Sequence, residues 1–340
     1  MGRVQIMELE VERISIGVDE AMDLGQAALQ AAGMPAREAR IIADHLVDNM
    51  LCGYEFAGLP RILAIVEHPS FRGPHTEVKV VHETALSAQI DGGNHVGYGP
   101  VLKGALLAAE KAKAHGMALV GVSNCWFSGR NAYYMERIAR EGLIAIHIAS
   151  GLSQVVPPGA RRPLLGTNPI GFAFPTATDP LIFDMGTAAT MWGEVLLHAM
   201  LDRHFPDGIG VDSEGRPTTS AREIAKGGVL PFGGHKGYGL SLVVQALGVL
   251  AGAKRASGKV IDSAFLFIAV DPELLMPRDE FRLQMSEMIS QIRALPRQPG
   301  VESIRIPSER AFAERAQRLR KGLHLPARVH QALIEMRGAG

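Results

Sequence analysis

The sequence lacks an excess of charge of either sign. Its 340 residues contain 35 Lys and Arg residues and 35 Asp and Glu residues, so the formal net charge is zero. A chain without net positive charge has no long-range attraction for nucleic acid or for an anionic membrane surface. Neither of those two partners is therefore expected.

Cysteine is scarce, and Cys52 and Cys125 alone cannot form a framework of several disulfide bonds. The sequence contains no Cys-x-x-Cys and no His-Glu-x-x-His spacing, so it offers neither a typical structural zinc site nor a typical catalytic one. We therefore expect no bound metal. The low cysteine content favours a reducing compartment, and we expect a cytoplasmic protein.

Long uninterrupted apolar runs are also missing. The longest apolar stretch, Gly239–Ala253, contains Gln245 and is shorter than the ~20 residues that a membrane-spanning helix needs. The first residues, Met1–Ile16, mix charged side chains such as Glu8 and Glu10 with apolar ones, unlike the continuous apolar core of a secretion signal. We expect Gly239–Ala253 to form a buried helix rather than a membrane anchor.

Two common nucleotide-binding motifs, Gly-x-Gly-x-x-Gly after an early strand and Gly-x-x-x-x-Gly-Lys-Ser/Thr, do not occur. The glycines cluster elsewhere, at 92–99, 166–169 and 233–239. In the last cluster Lys236 lies immediately before an apolar helix, where free backbone N–H groups and a positive charge suit a phosphate or a carboxylate. A turn followed by a solvated lysine is an equally good interpretation of this cluster.

Apolar periodicity predicts an α/β chain with helices at both ends. Ala21–Ala32 and Ala39–Met50 show the three- and four-residue spacing of helices, and a third helix is predicted near Leu59–Val66. After Pro74, short apolar runs typical of strands alternate with helical segments. The predicted strands are Glu77–Val81, Met117–Val122, Leu143–Ile148, Gly171–Phe174, Leu181–Phe183 and Ala264–Val270, and the predicted helices between them include Pro100–His115 and Tyr238–Leu250.

From Pro307 onward the pattern is helical again. Ser308 is placed as an N-cap, Gly322 as a stop, and a terminal helix follows Pro326. We predict that residues 1–74 and 307–340 pack together as one helical domain, and that residues 75–306 form an α/β domain.

Several segments together resemble the malate/L-lactate dehydrogenase family that is distinct from the Rossmann lactate and malate dehydrogenases. They are Gly-Tyr-Glu-Phe-Ala-Gly-Leu-Pro-Arg at 53–61, Gly-Thr-Asn-Pro-Ile at 166–170, Asp-Met-Gly-Thr at 184–187, Asp212 with residues 215–219, and Leu-Pro-Phe-Gly-Gly-His-Lys-Gly-Tyr-Gly-Leu at 230–240. The last segment is highly specific. The family includes ureidoglycolate dehydrogenase, sulfolactate dehydrogenase, 2,3-diketo-L-gulonate reductase and Δ1-piperideine-2-carboxylate reductase.

The resemblance implies an NAD- or NADP-dependent oxidoreductase that interconverts a 2-hydroxy acid and its 2-oxo acid, or an amino acid and its imine. It also implies a cytoplasmic homodimer. The expected fold is α/β, with a helical domain formed by both chain ends and a mixed-sheet NAD(P)-binding domain that is not a Rossmann fold. Residues 75–306 would then bind both the cofactor and the substrate, and the missing dinucleotide motif is no objection.

The resemblance also assigns site residues. Arg61 is expected near the substrate carboxylate, which a planar guanidinium binds through two hydrogen bonds, and Asp184 is expected near the reacting centre. The expected cofactor contacts are Pro180, Leu181, Ile182, Phe183, Asp184, Met185, Gly186, Ala225, Lys226, His235, Lys236, Ser308, Glu309 and Arg310. The expected substrate pocket contains Phe56, Ala57, Trp126, Phe127, Thr167 and Asn168.

Departures from the family pattern concentrate in this expected site. Phe56 and Ala57 replace the family's Ser-His, and residues 124–129 lack its second histidine, so both imidazoles usually taken as the proton donor are absent. The loop at 157–160 has lost its tryptophan, and Glu194 replaces a lysine. The candidates for a replacement acid are Glu55, Tyr54, His95 and Tyr133, and for each a packing or surface role is the more ordinary interpretation.

Three functions remain open at this point. The first is an oxidoreductase of a small 2-oxo/2-hydroxy carboxylate with a relocated proton donor, because general acid catalysis contributes about 10²–10⁴ in rate. The second is a reductase of a cyclic or N-substituted 2-imino acid, since a protonated imine needs no donor and the aromatic substitutions suit an apolar or cationic substrate. The third is a catalytically silent relative that binds a nucleotide or a carboxylate.

Overall fold

The computed structural model describes residues 12–256, 259–260 and 263–338. Residues 1–11, which include most of the segment expected not to be a secretion signal, lie outside this range. The helices are α1 (Val18–Ala31), α2 (Ala36–Leu51), α3 (Arg61–Glu67), α4 (Tyr98–His115), α5 (Asn131–Arg140), α6 (Trp192–Met200), α7 (Ala221–Lys226), α8 (His235–Leu250), α9 (Arg278–Ala294), α10 (Glu309–Lys321) and α11 (Ala327–Gly338). The strands are β1 (Arg13–Ile16), β2 (Lys79–Glu83), β3 (Ser87–Val96), β4 (Met117–Trp126), β5 (Ile144–Ser150), β6 (Ile170–Phe174), β7 (Leu181–Met185), β8 (Gly210–Val211), β9 (Pro217–Thr218), β10 (Gly228–Val229), β11 (Arg255–Ala256), β12 (Lys259–Val260), β13 (Ser263–Val270) and β14 (Leu323–Pro326).

The chain divides into two compact units. Residues up to 72 together with those from 309 onward form unit 1, and residues 73–308 form unit 2. In unit 1, α1 packs on α2 and α11. Gly25 makes the close approach possible, because a Cβ at this position would lie 2.7 Å from Cδ2 of Leu59. Unit 1 also contains an antiparallel pair, β1 with β14, that the sequence pattern did not predict.

Unit 2 is built on a seven-stranded mixed sheet. The strand order is β2-β3-β4-β13-β5-β6-β7, and β3 with β4 is the parallel pair in it. All its other neighbouring strands are antiparallel, so the sheet is not the parallel sheet of a Rossmann fold. The predicted α/β fold class is confirmed.

Helices cover the central strands because successive side chains of a strand point to opposite faces. On β13, Phe267 stacks edge-on against Tyr134 of α5, and α4 packs beside α5. The preceding residue, Leu266, instead joins the apolar cluster that contains Val244 of α8. Unit 2 therefore has two helical layers with the sheet between them.

The structure corrects the predicted environment of one helix. Gly239–Ala253 was expected to be a buried helix, and α8 forms there and packs on β5 and β13. However, its Leu242, Val243, Val249 and Leu250 side chains are between 44% and 61% exposed. The prediction failed because a helix that is apolar on all sides gives no sign of which side is covered. None of the described helices is long and apolar enough to span a membrane.

Two long elements had no clear sequence signal. Strand β3 runs through Gly92 and Gly93, residue types that are depleted in strands, and its pairing with β4 shifts register between Asp91 and His95. Helix α9 is largely polar, with Ile289 buried. Both elements are therefore formed by tertiary packing rather than by a strong local pattern.

Candidate functional site

The segment that carries Phe56 and Ala57 is a short 3-10 turn with a fixed backbone. Asn49, which is fully buried, donates a hydrogen bond from Nδ2 to the carbonyl of Ala57 at 2.8 Å. Gly58 packs so closely on Met50 that a Cβ would lie 2.1 Å from its Cγ. The Phe56 ring is nevertheless 62% exposed. Unit 1 thus presents an aromatic ring to solvent from a rigid turn.

Glu55, a candidate proton donor, is engaged by two guanidinium groups. Arg13 pairs with its Oε2, and Nη1 of Arg318 lies 3.4 Å from its Oε1. Arg318 also donates to the carbonyl of Met50 at 2.9 Å. Glu55 therefore joins β1, α10 and the 3-10 turn within unit 1, an arrangement that favours a structural role.

Tyr54 and Arg61 flank this turn. The guanidinium carbon of Arg310 lies 5.3 Å from the centre of the Tyr54 ring, so a cation covers one face of the phenol. Arg61 is the first residue of α3, is partly exposed, and donates its backbone N–H to the carbonyl of Gly58 at 2.8 Å. Together with burial, the Arg61 charge lowers the pKa of His68. Arg61 is thus an accessible guanidinium on a well-anchored backbone.

Asp184 occupies a strand position in unit 2 and acts on a neighbouring helix. It pairs with Gly171 across β6 and β7, and its Oδ2 accepts a hydrogen bond from the backbone N–H of Ala132 at 3.0 Å. The carboxylate therefore caps the N-terminus of α5, where a negative charge is favourable. Burial nevertheless raises the pKa of Asp184 to about 6, against the opposing effects of the Ala132 hydrogen bond and the Arg130 charge.

The sequence interpretation missed the start of α5 as part of this site. Asn131 is buried and Arg130 acts electrostatically on Asp184. The positive φ of Gly129 and the helix that follows it were the available signals, but no sequence pattern linked them to a strand 52 residues away. The contact exists only because the sheet brings β7 beside α5.

The predicted cofactor strand, Pro180 to Gly186, is the edge strand β7 with its flanking residues. Ser308, another expected cofactor contact, donates its hydroxyl hydrogen to the carbonyl of Ile182 at 2.7 Å. Ser308 has a positive φ of 68°, which is uncommon for a residue with a Cβ. This hydrogen bond joins two of the expected cofactor segments, β7 and the residue that precedes α10.

The expected pocket residues of unit 2 have different environments. Trp126 is buried, and its Nε1 donates to the carbonyl of Asn94 at 3.0 Å. Phe127 is partly exposed, has a φ of 50°, and meets the Trp126 ring edge-on with centroids 5.3 Å apart. Trp126 therefore supports this loop, and Phe127 is the accessible aromatic residue of the pair.

Asn168 is fully buried and its amide is bound by protein groups. Its Nδ2 lies 3.1–3.2 Å from acceptors on Ser241 and Gln245 of α8, and its Oδ1 accepts from the backbone N–H of Gly151 at 3.1 Å. The neighbouring Thr167 accepts a hydrogen bond at its carbonyl from the Thr187 N–H at 2.8 Å. Asn168 thus fixes the glycine-rich loop at 166–168 to α8.

The other acid candidates in unit 2 are also engaged. His95 stacks on His75 with ring centroids 4.7 Å apart, and its Nε2 lies 3.0 Å from the carbonyl of Thr76. Tyr133 is buried beneath the guanidinium of Arg137, at 3.5 Å. Neither arrangement presents a free proton donor to solvent.

The start of α8 is an exposed, positively charged corner. Gly233 and Gly234 have φ values of 56° and 62°, and the exposed His235 and Lys236 follow them. A cavity of about 500 Å³ adjoins this corner and is lined by Pro158, Leu230, Phe232 and the two glycines. Its size suits part of a nucleotide-sized ligand.

The last expected cofactor contacts in unit 2 lie at the end of α7. Lys226 is the last residue of that helix, follows Ala225, and pairs with Glu223 at 2.8 Å. In the described part of the chain, no group of three His, Cys, Asp or Glu side chains is placed to hold a metal ion.

Comparison with known proteins identifies the family. Residues 16–334 match the malate/L-lactate dehydrogenase family. The chain is 33% identical to a malate dehydrogenase of Pyrococcus abyssi, over 95% of this chain and 94% of that protein. It is 30% identical to a Δ1-pyrroline-2-carboxylate/Δ1-piperideine-2-carboxylate reductase of Pseudomonas putida, over 96% and 97% of the two chains.

The fold agrees with a solved member. The malate dehydrogenase of Pyrococcus horikoshii superposes with a TM-score of 0.84 at 31% identity, and the match covers 96% of each chain. The resemblance inferred from the sequence motifs is confirmed. The chain therefore belongs to the malate/L-lactate dehydrogenase family.

Proposed function

We propose that this protein is an NAD(P)H-dependent oxidoreductase that reduces a small 2-oxo carboxylate to the 2-hydroxy carboxylate, or catalyses the reverse reaction. In the forward direction a hydride from the cofactor and one proton are added across the C=O bond. The observation that carries the proposal is Arg61. It is an accessible guanidinium on a fixed backbone, at the position where the family's motif has its arginine. Such a group binds a carboxylate through two charge-assisted hydrogen bonds.

The residues present suit a nicotinamide dinucleotide, which when bound supplies or accepts the hydride. Lys236 and the preceding glycines offer positive charge and open backbone beside a cavity of about 500 Å³. The hydrogen bond from Ser308 to Ile182 holds the edge strand that we assign to the cofactor. We propose that residues 180–186, Ala225, Lys226, His235, Lys236 and 308–310 hold the nucleotide.

We propose Asp184 as the group that supplies the proton. It replaces the missing imidazole because a carboxyl with a pKa of about 6 can exchange a proton near neutral pH. Glu55 and Tyr54 are less suitable, since guanidinium groups engage the Glu55 carboxylate and cover the Tyr54 ring.

Reduction of a 2-imino acid is the second candidate function. One of the relatives is named as a reductase of cyclic imines, and the exposed Phe56 ring suits a cationic substrate through a cation–π contact. A protonated imine accepts hydride without a separate proton donor, so this reaction tolerates alanine at position 57. The catalytically silent relative is the third candidate, and the assay below tests it.

The first test is an assay of NADH and NADPH oxidation at 340 nm with the purified protein. The substrates are pyruvate, oxaloacetate and 2-oxoglutarate, each with and without methylamine, and Δ1-piperideine-2-carboxylate. Turnover of the oxo acids alone supports the first function, and turnover restricted to imines supports the second. Nucleotide binding without turnover of any of them would support the silent relative.

Arg61→Gln is the matched variant for this assay. Losing a bidentate charge-assisted contact is expected to lower kcat/KM by about 10²-fold, chiefly through KM, because the carboxylate is bound in the ground state and in the transition state. Arg61→Lys keeps the charge but not the planar fork and should lie between the two. Equal kcat/KM for wild type and Arg61→Gln would remove Arg61 from the substrate site.

We also propose that the protein is a cytoplasmic homodimer whose interface includes α6 and α8. Leu197 and Met200 of α6 are 49% and 81% exposed, and α8 exposes a further apolar face that includes Val243. No charged residue occurs between Gly237 and Ala253. Apolar faces without charge are typical of homodimer interfaces and uncommon on monomers.

Val243→Glu is expected to convert the dimer into a monomer, because a carboxylate would be buried without a partner at the interface. Light scattering after size-exclusion chromatography measures the mass. Leu283→Glu is the control, since Leu283 of α9 is 63% exposed and lies outside the proposed interface. A wild-type mass of one chain, or an unchanged dimer with Val243→Glu, would contradict the proposal.

A further inference from the structure

Arg310 differs from the other arginines of α10 because it has no acidic partner in the described part of unit 1. Arg315 pairs with Asp48 at 3.0 Å, and Arg318 pairs with Glu314 at 3.0 Å as well as with Glu55. These neighbours are neutralised. The exposed guanidinium of Arg310 instead faces the Tyr54 ring, 5.3 Å from its centre.

Gly53 bounds the same guanidinium on another side. Its φ is +85°, and a Cβ at this position would lie 3.3 Å from Nη1 of Arg310. Any side chain here would therefore press on the Arg310 guanidinium as well as strain the backbone. The next residue, Tyr54, is held by a hydrogen bond from its N–H to the carbonyl of the buried Asn49 at 2.8 Å. The ring under Arg310 consequently sits on a fixed backbone.

A cation that is held by an aromatic face, and not by a carboxylate, keeps its N–H groups available for an anion. The flat fork of a guanidinium matches the oxygen atoms of a phosphate. Arg310 also lies in the first turn of α10, where the helix dipole adds positive potential. These features suit a phosphate ligand better than a neutral one.

We propose that Arg310 binds a phosphate group of the nicotinamide dinucleotide and that Tyr54 is a positioning residue that holds its guanidinium in place. The inference rests on the proposed function, because it requires that the protein bind such a nucleotide. The phosphate has two sources, the 2′-phosphate found in NADP alone and the diphosphate bridge common to NAD and NADP. Tyr54, first considered as a proton donor, is thereby given a binding role.

Isothermal titration of the full chain with 5′-ADP and with 2′,5′-ADP tests the site without relying on catalysis. Arg310→Gln is expected to weaken binding by about 10- to 100-fold, the usual effect of losing charged hydrogen bonds. A loss confined to 2′,5′-ADP identifies the 2′-phosphate, and an equal loss for both probes identifies the diphosphate group. Unchanged affinity for both probes overturns the proposal.

Two further substitutions separate a binding role from a structural one. Arg310→Lys keeps the charge and should retain part of the affinity, whereas Arg320→Gln makes the same change of charge elsewhere on α10 and should have no effect. Because Arg320 is exposed and lies outside the proposed site, it serves as the matched control. An equal loss in Arg310→Gln and Arg320→Gln would show only a general charge effect and would overturn the assignment.

Tyr54 is tested by comparing phenylalanine with leucine. Tyr54→Phe keeps the ring and should bind like wild type, and Tyr54→Leu should bind about two- to fivefold more weakly, as expected for loss of an exposed cation–π contact. In the Arg310→Gln background, Tyr54→Leu should cause no further loss. Wild-type affinity in Tyr54→Leu, or a further loss in that background, would overturn the positioning role.

The wild type distinguishes failure of this inference from failure of the proposed function. If the wild-type protein binds NADH or NADPH, measured by quenching of tryptophan fluorescence, but Arg310→Gln binds both adenosine probes normally, only the phosphate assignment fails. If the wild type binds none of these nucleotides, the proposed function fails and this inference fails with it. Thermal unfolding of each variant confirms that the titrated protein is folded.

Discussion

Restoring the family's Ser-His pair, by Phe56→Ser together with Ala57→His, is expected to raise kcat/KM for 2-oxo acids by about 10²–10⁴-fold. That range is the usual contribution of a positioned general acid, and an imidazole has a suitable pKa near neutral pH. The turn can present the new side chain because Asn49 holds the carbonyl of Ala57 and Gly58 packs on Met50. Oxidation of NADH or NADPH at 340 nm with pyruvate or oxaloacetate measures the gain.

Single variants and the pH profile are the controls for this gain. Phe56→Ser alone adds no imidazole and should not accelerate ketone reduction. In the double variant, kcat/KM should fall as the pH rises through the range near 6.5, because the histidine must be protonated to donate. Imine reduction should not gain from the change. A folded double variant that binds nucleotide but reduces ketones no faster would show that the missing imidazole does not limit the reaction.

Asp184→Asn is expected to lower ketone reduction by about 10²–10⁴-fold, since it removes the proposed proton donor. Asparagine is close to aspartate in shape and its Oδ1 can still accept the hydrogen bond from Ala132, so α5 should stay capped. The pH profile gives a second measurement. Burial raises the pKa of Asp184 to about 6, and a general acid works only when protonated, so wild-type kcat/KM should fall as the pH rises above about 6.

Two results would contradict this role of Asp184. One is a substantial rate of ketone reduction in Asp184→Asn, and the other is a wild-type profile that is flat between pH 5 and 8, the range around the pKa of about 6. Nucleotide binding should be retained in the variant, which separates a chemical defect from loss of the cofactor. If the substrate is an imine, the pH dependence should follow the ionisation of the substrate, and Asp184→Asn should have a small effect.

Much of the fold could be predicted from local pattern. Regular apolar spacing located α1, α2 and α4, and short apolar runs located β5, β7 and β13, because these segments bury one face or both faces against the core. The strand β3, with two glycines, and the polar helix α9 were missed. Their conformations depend on neighbours that are distant in sequence, and a local pattern contains no information about those neighbours.

The candidate site could be predicted only in part. Motif spacing indicated Arg61, Asp184 and Lys236 before any geometry was known, and it showed that the family's two histidines are absent. It could not show that Glu55 is held by Arg13 and Arg318. Ion pairs of this kind join segments from opposite ends of the chain, so they have no signature in either segment alone.

The sequence by itself determined the α/β class, the family and the identity of the changed residues, because each is written in periodicity or in contiguous motifs. The tertiary structure alone decided the roles of single side chains. It buried Trp126 and Asn168, exposed Phe56, and placed the Asp184 carboxylate at the start of α5. Those outcomes depend on which surfaces meet when the chain folds, and burial and partnership, rather than residue type, set the chemistry of a side chain.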